Sequence, residues 1–189
     1  GYYSEAGLDV NIRERDPFKN NIDQVIEGIA DYGISDSSLL LHRARGKRVQ
    51  IMASFFQHSP LVFILKKDSG IVSPFELKGK IVSFQEGIDD ASLLAMLLDS
   101  NITSKDYIYK PLDFTSQDFI DGKVDVISAY LGDQPYFMKE KGIAVNIINP
   151  LNYGIDLYGD NLFSTEKTLK KNPLQAKKFL DASIRGWKY

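Results

Sequence analysis

Hydrophobic and polar positions in this chain switch between two periods, and the switches predict its elements. Residues 7–12, Gly-Leu-Asp-Val-Asn-Ile, alternate apolar and polar, which predicts a strand. Ile22, Val25, Ile26 and Ile29 then fall on one face of a helix, with Asn20 or Asn21 as its cap. A short strand follows over 31–35. Asp36 or Ser37 caps the next helix, which runs through Leu39, Leu40 and Ala44 and stops at Gly46. Residues 49–56 read as a strand, 58–60 as a tight break, and 61–65 (Leu-Val-Phe-Ile-Leu) as a second, strongly apolar strand.

The alternation continues downstream. Ser73-Pro74-Phe75-Glu76 is a capping box with proline at the first helical position, ahead of a short helix ending near Gly79. Strands are predicted over 80–84, 107–112, 124–130 and 145–148. Helices are predicted over 91–98, capped by Asp89 or Asp90, and over 115–120 and 134–140. Asn161-Leu162-Phe163 is strand-like, with a helix starting at Ser164. Asn172 to Gln175 forms a second capping box. Behind it Ala176, Phe179, Leu180, Ser183, Ile184 and Trp187 make the stripe of a long final helix.

Strands and helices in alternation predict a mainly parallel α/β architecture. The strands on either side of Pro60 have no helix between them, so they can carry the chain from one lobe to another. The stretch Tyr153-Gly154-Ile155-Asp156-Leu157-Tyr158-Gly159-Asp160 can carry it back. The expected division is a discontinuous first lobe, 1–57 plus 157–189, and an inserted lobe, 66–150. Residues 58–65 and 151–156 would be the two hinge crossings. A cleft between lobes joined in this way is a usual place for a small-molecule site.

Composition narrows the function classes. The 189 residues are 43% hydrophobic and carry a formal net charge of −2, so there is no electrostatic footprint for nucleic acid. There is no cysteine, which excludes disulfides, thiolate nucleophiles and iron–sulfur clusters. No apolar run reaches the roughly 18 residues of a membrane span. The chain opens at Gly1-Tyr2-Tyr3 and stops inside a predicted helix, and it reads as a piece of something longer.

Enzymatic constellations are missing from the sequence. There is no GxxxxGK and no GxGxxG. Gly33-Ile34-Ser35-Asp36-Ser37 begins like a nucleophile elbow but lacks the closing glycine. His42 and His58 are isolated histidines, so no metal site is expected. The strand-to-helix loops are richer, and in open α/β sheets ligands collect beyond the carboxyl ends of the strands. Those ends carry Asp36, Phe56, Gln57, Glu86, Tyr130 and Asp133, to which the return stretch adds Tyr153, Asp156 and Tyr158. No arginine stands among them, whereas a sulfonate, nitrate or phosphate site would use arginine or bare helix N-termini. Aromatic faces with carboxylates fit a flat, neutral or cationic nitrogenous ligand. Phe56, Tyr130 and Tyr158 would stack on it. Asp36, Glu86, Asp133 and Asp156 would accept from its N–H groups, and Gln57 would orient the ring.

Several stretches together resemble the NMT1/THI5-like (SsuA/THI5-type) periplasmic substrate-binding domains. They are GYYSEAGLDV at the start, SPFELKGKIVSF at the entry to the second lobe, IDGKVDVISAY, and the tail from YGIDLYGDNLF through KKFLDASIRGWKY. The tail is most similar to members that form sensory domains of histidine kinases and diguanylate cyclases. The resemblance implies the type II periplasmic binding protein fold, two α/β lobes with a two-crossing hinge. The family's usual first strand and helix have no counterpart ahead of GYY, and that strand contributes to the pocket. The family's ligands include thiamin-pyrimidine precursors, sulfonates, taurine and nitrate. The implied function is a non-enzymatic, periplasmic sensory domain for a thiamin-pyrimidine-like or other small nitrogenous compound, with no cofactor. Its partners would be that ligand, a membrane-tethered parent chain and a second copy in a homodimer. The alternatives are the free binding protein of an ABC importer and, remotely, a pyrimidine-synthase-type enzyme. The fungal synthases carry a cysteine-rich iron motif that this chain lacks.

Overall fold

The computed structural model describes residues 1–14, 16, 19–85 and 90–189. In chain order the elements are α1 (Tyr2–Glu5), α2 (Asn21–Ile26), β1 (Tyr32–Ser35), α3 (Ser38–Ala44), β2 (Val49–Phe56), β3 (Leu61–Lys66), β4 (Ile81–Phe84), α4 (Ala91–Asp99), β5 (Ile108–Pro111), α5 (Gln117–Ile120), β6 (Val126–Tyr130), α6 (Gln134–Glu140), β7 (Val145–Ile148), β8 (Gly159–Thr165), α7 (Glu166–Lys171) and α8 (Pro173–Trp187). Short 3-10 turns cover Lys67–Ser69, Pro74–Leu77 and Pro150–Tyr153. The chain divides into two compact units. Unit 1 is Gly1–Phe56 with Asp160–Tyr189, and unit 2 is Gln57–Gly159.

Unit 2 is built on a five-stranded sheet in the order β5-β4-β6-β3-β7. The apolar run at 61–65 is its interior strand. Leu61, Phe63 and Leu65 face a layer that includes Leu93, Met96 and Leu97 of α4. Val62 and Ile64 face the opposite layer, with Phe119 and Met138. Alternate residues of a strand point to opposite faces, so a strand covered on both sides has to be apolar throughout. Residues 61–65, expected to belong to a hinge crossing, are therefore core, and Val62 to Leu65 have no exposed surface. Residues 151–156 lie in the same unit, in a 3-10 turn and the loop after it.

The sheet is mixed rather than mainly parallel. β4 runs parallel to β5 and β6, but β3 is antiparallel to β6 and β7. A parallel pair needs a crossover of a dozen or more residues. The strand before β3, β2, belongs to the other sheet, so no crossover helix within this sheet obliges β3 to run parallel to its neighbours.

Unit 1 has three strands in the order β1-β8-β2, with β1 antiparallel to β8. Its core is Ile22, Val25, Leu39, Val49 and Phe163. Gly33 sits opposite Phe163, and a Cβ at Gly33 would come within 2.7 Å of the Phe163 ring and 3.0 Å of Val25. The glycine of the elbow-like stretch is thus a packing glycine. α8 is fastened by aromatic rings. Phe179 lies between Tyr3 (5.1 Å) and Tyr32 (4.0 Å) in a stack, and Trp187 stacks on Phe55 at 4.5 Å. Burial, with the neighbouring Asp31 carboxylate, pushes the Tyr32 phenol above its ordinary range. Ala182 joins Ala176 and Ser183 on the buried face of α8, while Trp187, expected at the end of that face, is mostly exposed.

Three local expectations fail for identifiable reasons. Residues 7–12 form no strand, and Ile12 is 81% exposed. Alternation makes a strand only where a second strand supplies hydrogen bonds, and no described strand pairs with this segment. The helix expected at Ser164 starts at Glu166, because β8 continues to Thr165 and the Thr165 hydroxyl caps α7 through the Thr168 N–H. Asp90 precedes α4, but its carboxylate accepts from the Gln85 backbone N–H (3.0 Å) and side-chain amide (2.7 Å) instead of capping the helix. The other candidate cap, Asp89, lies outside the described residues.

Candidate functional site

The candidate residues fall into one cluster in each unit. In unit 2 the register pairs Leu61 of β3 with Tyr130 of β6, so the start of one strand meets the end of the other. The Leu131 N–H donates to the Pro60 carbonyl at 2.8 Å, and the Ser59 N–H to the Leu157 carbonyl at 2.7 Å. These bonds fasten three segments together: 57–60, 130–134 and 156–158. His58 Nδ1 lies 2.8 Å from the Asp156 carboxylate, an ion pair whenever the imidazole is protonated. The Gln134 side chain bridges this end of the sheet. Its carbonyl accepts from the Tyr130 N–H at 2.6 Å, and its amide donates to Asp133 at 2.9 Å.

Unit 2 therefore gathers Gln57, Tyr130, Asp133, Asp156 and Tyr158, all expected, with His58 and Gln134 added. Tyr130 is 37% exposed and Tyr158 54%, so both rings offer surface to a ligand. Asp133 stands at the N-terminus of α6, and its side chain does not cap the helix. Gln85 follows β4, which runs parallel to β6, so it leaves the sheet at the same end as Tyr130. Its neighbour Glu86, also expected here, lies outside the described residues.

In unit 1 the ends of β1 and β2 lie side by side across β8. Ser35 is the register partner of Asn161, and the Ser54 hydroxyl donates to the Asn161 side-chain carbonyl at 2.5 Å. Asn161 is fully buried, and its side-chain NH2 has no acceptor among the described residues. Asp36 follows β1, and one of its carboxylate oxygens accepts from the Ser38 N–H at 2.9 Å. That bond shapes the turn into α3 and leaves this oxygen less free for a ligand. Phe56 ends β2 with its ring edge-on to Trp187, at 5.9 Å and 82°. Phe56 and Asp36 both belong to unit 1, and the expectation that they face a ligand rests on their position at strand ends.

The residues that sequence reasoning missed are Ser54 and Asn161. Ser54 and Asn161 are 107 positions apart in the chain, and only β8 lying between β1 and β2 brings them together. Gln134 closes the strand-end loop 130–134 but was not among the residues expected to hold a ligand. Among the described residues no group of three or more histidines, aspartates or glutamates could hold a metal ion. No described helix is long and apolar enough to cross a membrane.

The family model described as "NMT1/THI5 like" matches residues 1–189. No curated protein matches the chain in sequence. Among solved structures, a protein of Bordetella bronchiseptica RB50 superposes with a TM-score of 0.80 at 18% identity, over 98% of this chain and 63% of that one. The alkanesulfonate-binding protein SsuA from Xanthomonas axonopodis pv. citri, bound to MOPS, gives 0.66 at 19% identity, over 85% of this chain and 56% of that one. The substrate-binding protein of an ABC uptake transporter from Streptococcus pneumoniae, with bound histidine, gives 0.69 at 18% identity, over 99% and 74%. At such identities the likeness is one of fold, and the fold is that of the type II periplasmic binding proteins. The chain spans less than two-thirds of the first two of these structures.

Proposed function

The chain belongs to the NMT1/THI5-like family, and on that premise we propose that it is the ligand-binding part of an extracytoplasmic solute-binding protein serving an importer. This reverses the order of the two receptor readings drawn from the sequence. Several structures of the same fold carry names of ABC-transporter binding proteins, among them the one from S. pneumoniae. The sensory reading has no comparable support. A solute-binding role needs no catalytic group, which agrees with a site made of stacking faces and hydrogen-bond acceptors. The proposed location is the periplasm.

The proposed ligand is a small nitrogenous compound, neutral or cationic. The observation that carries this is the unit 2 cluster. Two part-exposed tyrosines, two carboxylates and an imidazole lie within three joined segments, and no arginine is among them. Carboxylates repel a sulfonate and accept from ammonium or ring N–H groups, while tyrosine faces attract a flat or cationic partner. Asp133, Asp156, Tyr130, Tyr158 and Gln57 would hold the ligand from unit 2. A thiamin-pyrimidine-like heterocycle is one member of this class and a basic amino acid another.

The test is mass spectrometry of small molecules released when the purified protein is denatured, followed by thermal-shift titration with whatever is found. An amine or nitrogen heterocycle is expected. Recovery of a sulfonate or nitrate that raises the melting temperature would overturn the ligand assignment.

A further inference from the structure

Two segments of unit 1 that the ligand reading does not use hold a concentration of positive charge. Residues 37–51 contain Arg43, Arg45, Lys47 and Arg48 and no acid. Residues 164–175 contain Lys167, Lys170 and Lys171 and one acid, Glu166. Seven cations against one carboxylate contrast with a whole chain of formal net charge −2.

The fold joins these segments. The Glu166 N–H donates to the Arg48 carbonyl at 2.9 Å. One Arg43 guanidinium nitrogen donates to the Val49 carbonyl at 3.0 Å and also to the Glu166 carboxylate. Lys170 lies 3.7 Å from the same carboxylate. The one acid of the patch is thus occupied from within it. Arg45, Lys47, Lys167 and Lys171 are exposed and have no ion-pair partner among the described residues.

Beside these cations lies an apolar groove between α3 and β2, lined by Leu39, Leu40, Arg43, Val49, Gln50 and Ile51. Leu40 is 57% exposed, and Leu41 and Ile51 are also open to solvent. Contiguous exposed aliphatic surface rimmed by charge marks an interaction site more often than idle surface. A flat bilayer could meet the cations, but it would not fill a concavity. A projecting side chain would.

We propose that the α3–β2 groove and its cationic rim dock an acidic protein segment that presents an aliphatic side chain. The carboxylates of that segment meet Arg45, Lys47, Lys167 and Lys171, and the aliphatic group enters the groove against Leu40 and Ile51. The surface lies wholly within unit 1 and is independent of which small molecule the protein binds.

The probe is a fluorescein-labelled synthetic peptide of alternating glutamate and leucine, titrated against the whole chain by anisotropy. The same peptide with lysine in place of glutamate is the control. Phosphatidylglycerol vesicles, tested by co-sedimentation, stand for a lipid surface. The glutamate peptide should bind saturably and lose affinity as salt shortens the Debye length. The Arg45→Glu plus Lys47→Glu variant should weaken it by about tenfold or more. Leu40→Ser plus Ile51→Ser should weaken it while leaving its salt dependence in place. Should the first pair fail to fold, Lys167→Glu plus Lys171→Glu on the α7 side reads the same rim. Equal binding of the lysine peptide overturns the proposal, as does indifference to charge reversal in a folded variant. Vesicle binding without peptide binding also overturns it, because it assigns the surface to anionic lipid.

Discussion

Unit 2 and unit 1 reach stability by different routes. Unit 2 has a strand, β3, covered on both faces, so every side chain from Leu61 to Leu65 is core. Unit 1 has three strands around a small apolar cluster and relies on close fits: a ring against a glycine, and rings against rings along α8. Burial of a whole large apolar side chain is worth about 1.5–3 kcal/mol, and unit 2 accumulates many such contributions. Unit 1 has fewer, and depends on shape. An interior strand dry on both faces is sensitive to the loss of apolar volume, whereas a sheet with tight local fits is sensitive to added volume.

The strongest way to probe this contrast is to empty the middle of unit 2. Phe63 has no exposed surface, and Phe63→Ala should lower unfolding free energy by about 3–5 kcal/mol in urea titration. A loss below about 1 kcal/mol would mean that β3 is not the strand on which this unit depends. The matching probe of unit 1 adds a methyl group. Gly33→Ala pushes against Phe163 and Val25, and should cost about 1–3 kcal/mol. Paired with Phe163→Leu, which makes room, most of that cost should return; failure to recover would remove the close fit as its cause.

A third prediction compares the two candidate clusters. Asp156→Ala in unit 2 should weaken ligand-induced thermal stabilisation by about tenfold in apparent affinity, since a carboxylate hydrogen bond is lost. Asp36→Ala in unit 1 should do less, because its bonded oxygen shapes the turn into α3 through the Ser38 N–H, whereas the partner of Asp156, His58, is itself a member of the unit 2 cluster. Equal effects, or none at Asp156, would erase that ranking.

The smallest effect is one of pH. Asp113 in unit 2 is held down to about 2 from an ordinary value of 3.8. Burial by itself would raise it, but the Thr115 hydroxyl and the N–H groups of Asp118, Thr115 and Gln117 together prevail. The folded value lies below the unfolded one, so the unfolded chain binds the proton more readily. This contribution is complete above about pH 4 and is lost as pH falls toward 2. Thr115→Ala should flatten that part of the stability–pH curve. A curve identical to that of the parent protein would clear Asp113 of any part in acid unfolding.

Local chemistry made much of this fold legible. Asn20 caps α2, Asn172 caps α8, and Ser73 with Glu76 closes a capping box, each where residue type and spacing placed it. The limits of β2, β7 and α6 also follow from the pattern, since their breakers Pro60 and Gly142 lie close by. What failed were features whose partner lies outside the element itself. Residues 7–12 alternate correctly but pair with no described strand. Asp90 turns back to Gln85 in place of its helix. The candidate site was half legible for the same reason. Tyr130, Asp133, Asp156 and Tyr158 are unusual in type and could be picked out, but Ser54 and Asn161 are ordinary polar residues until the strand order of unit 1 brings them together.

By itself the sequence determined where most helices and strands begin, which runs are apolar enough to be core, and which family the chain joins, because periodicity, caps and short motifs are properties of neighbouring residues. Tertiary structure alone decided that β3 runs antiparallel within its sheet, that His58 meets Asp156 across 98 positions, and that two basic segments far apart in the chain form one surface. Those outcomes depend on which strands pair, and pairing is settled by the burial of whole faces rather than by any residue's own preference.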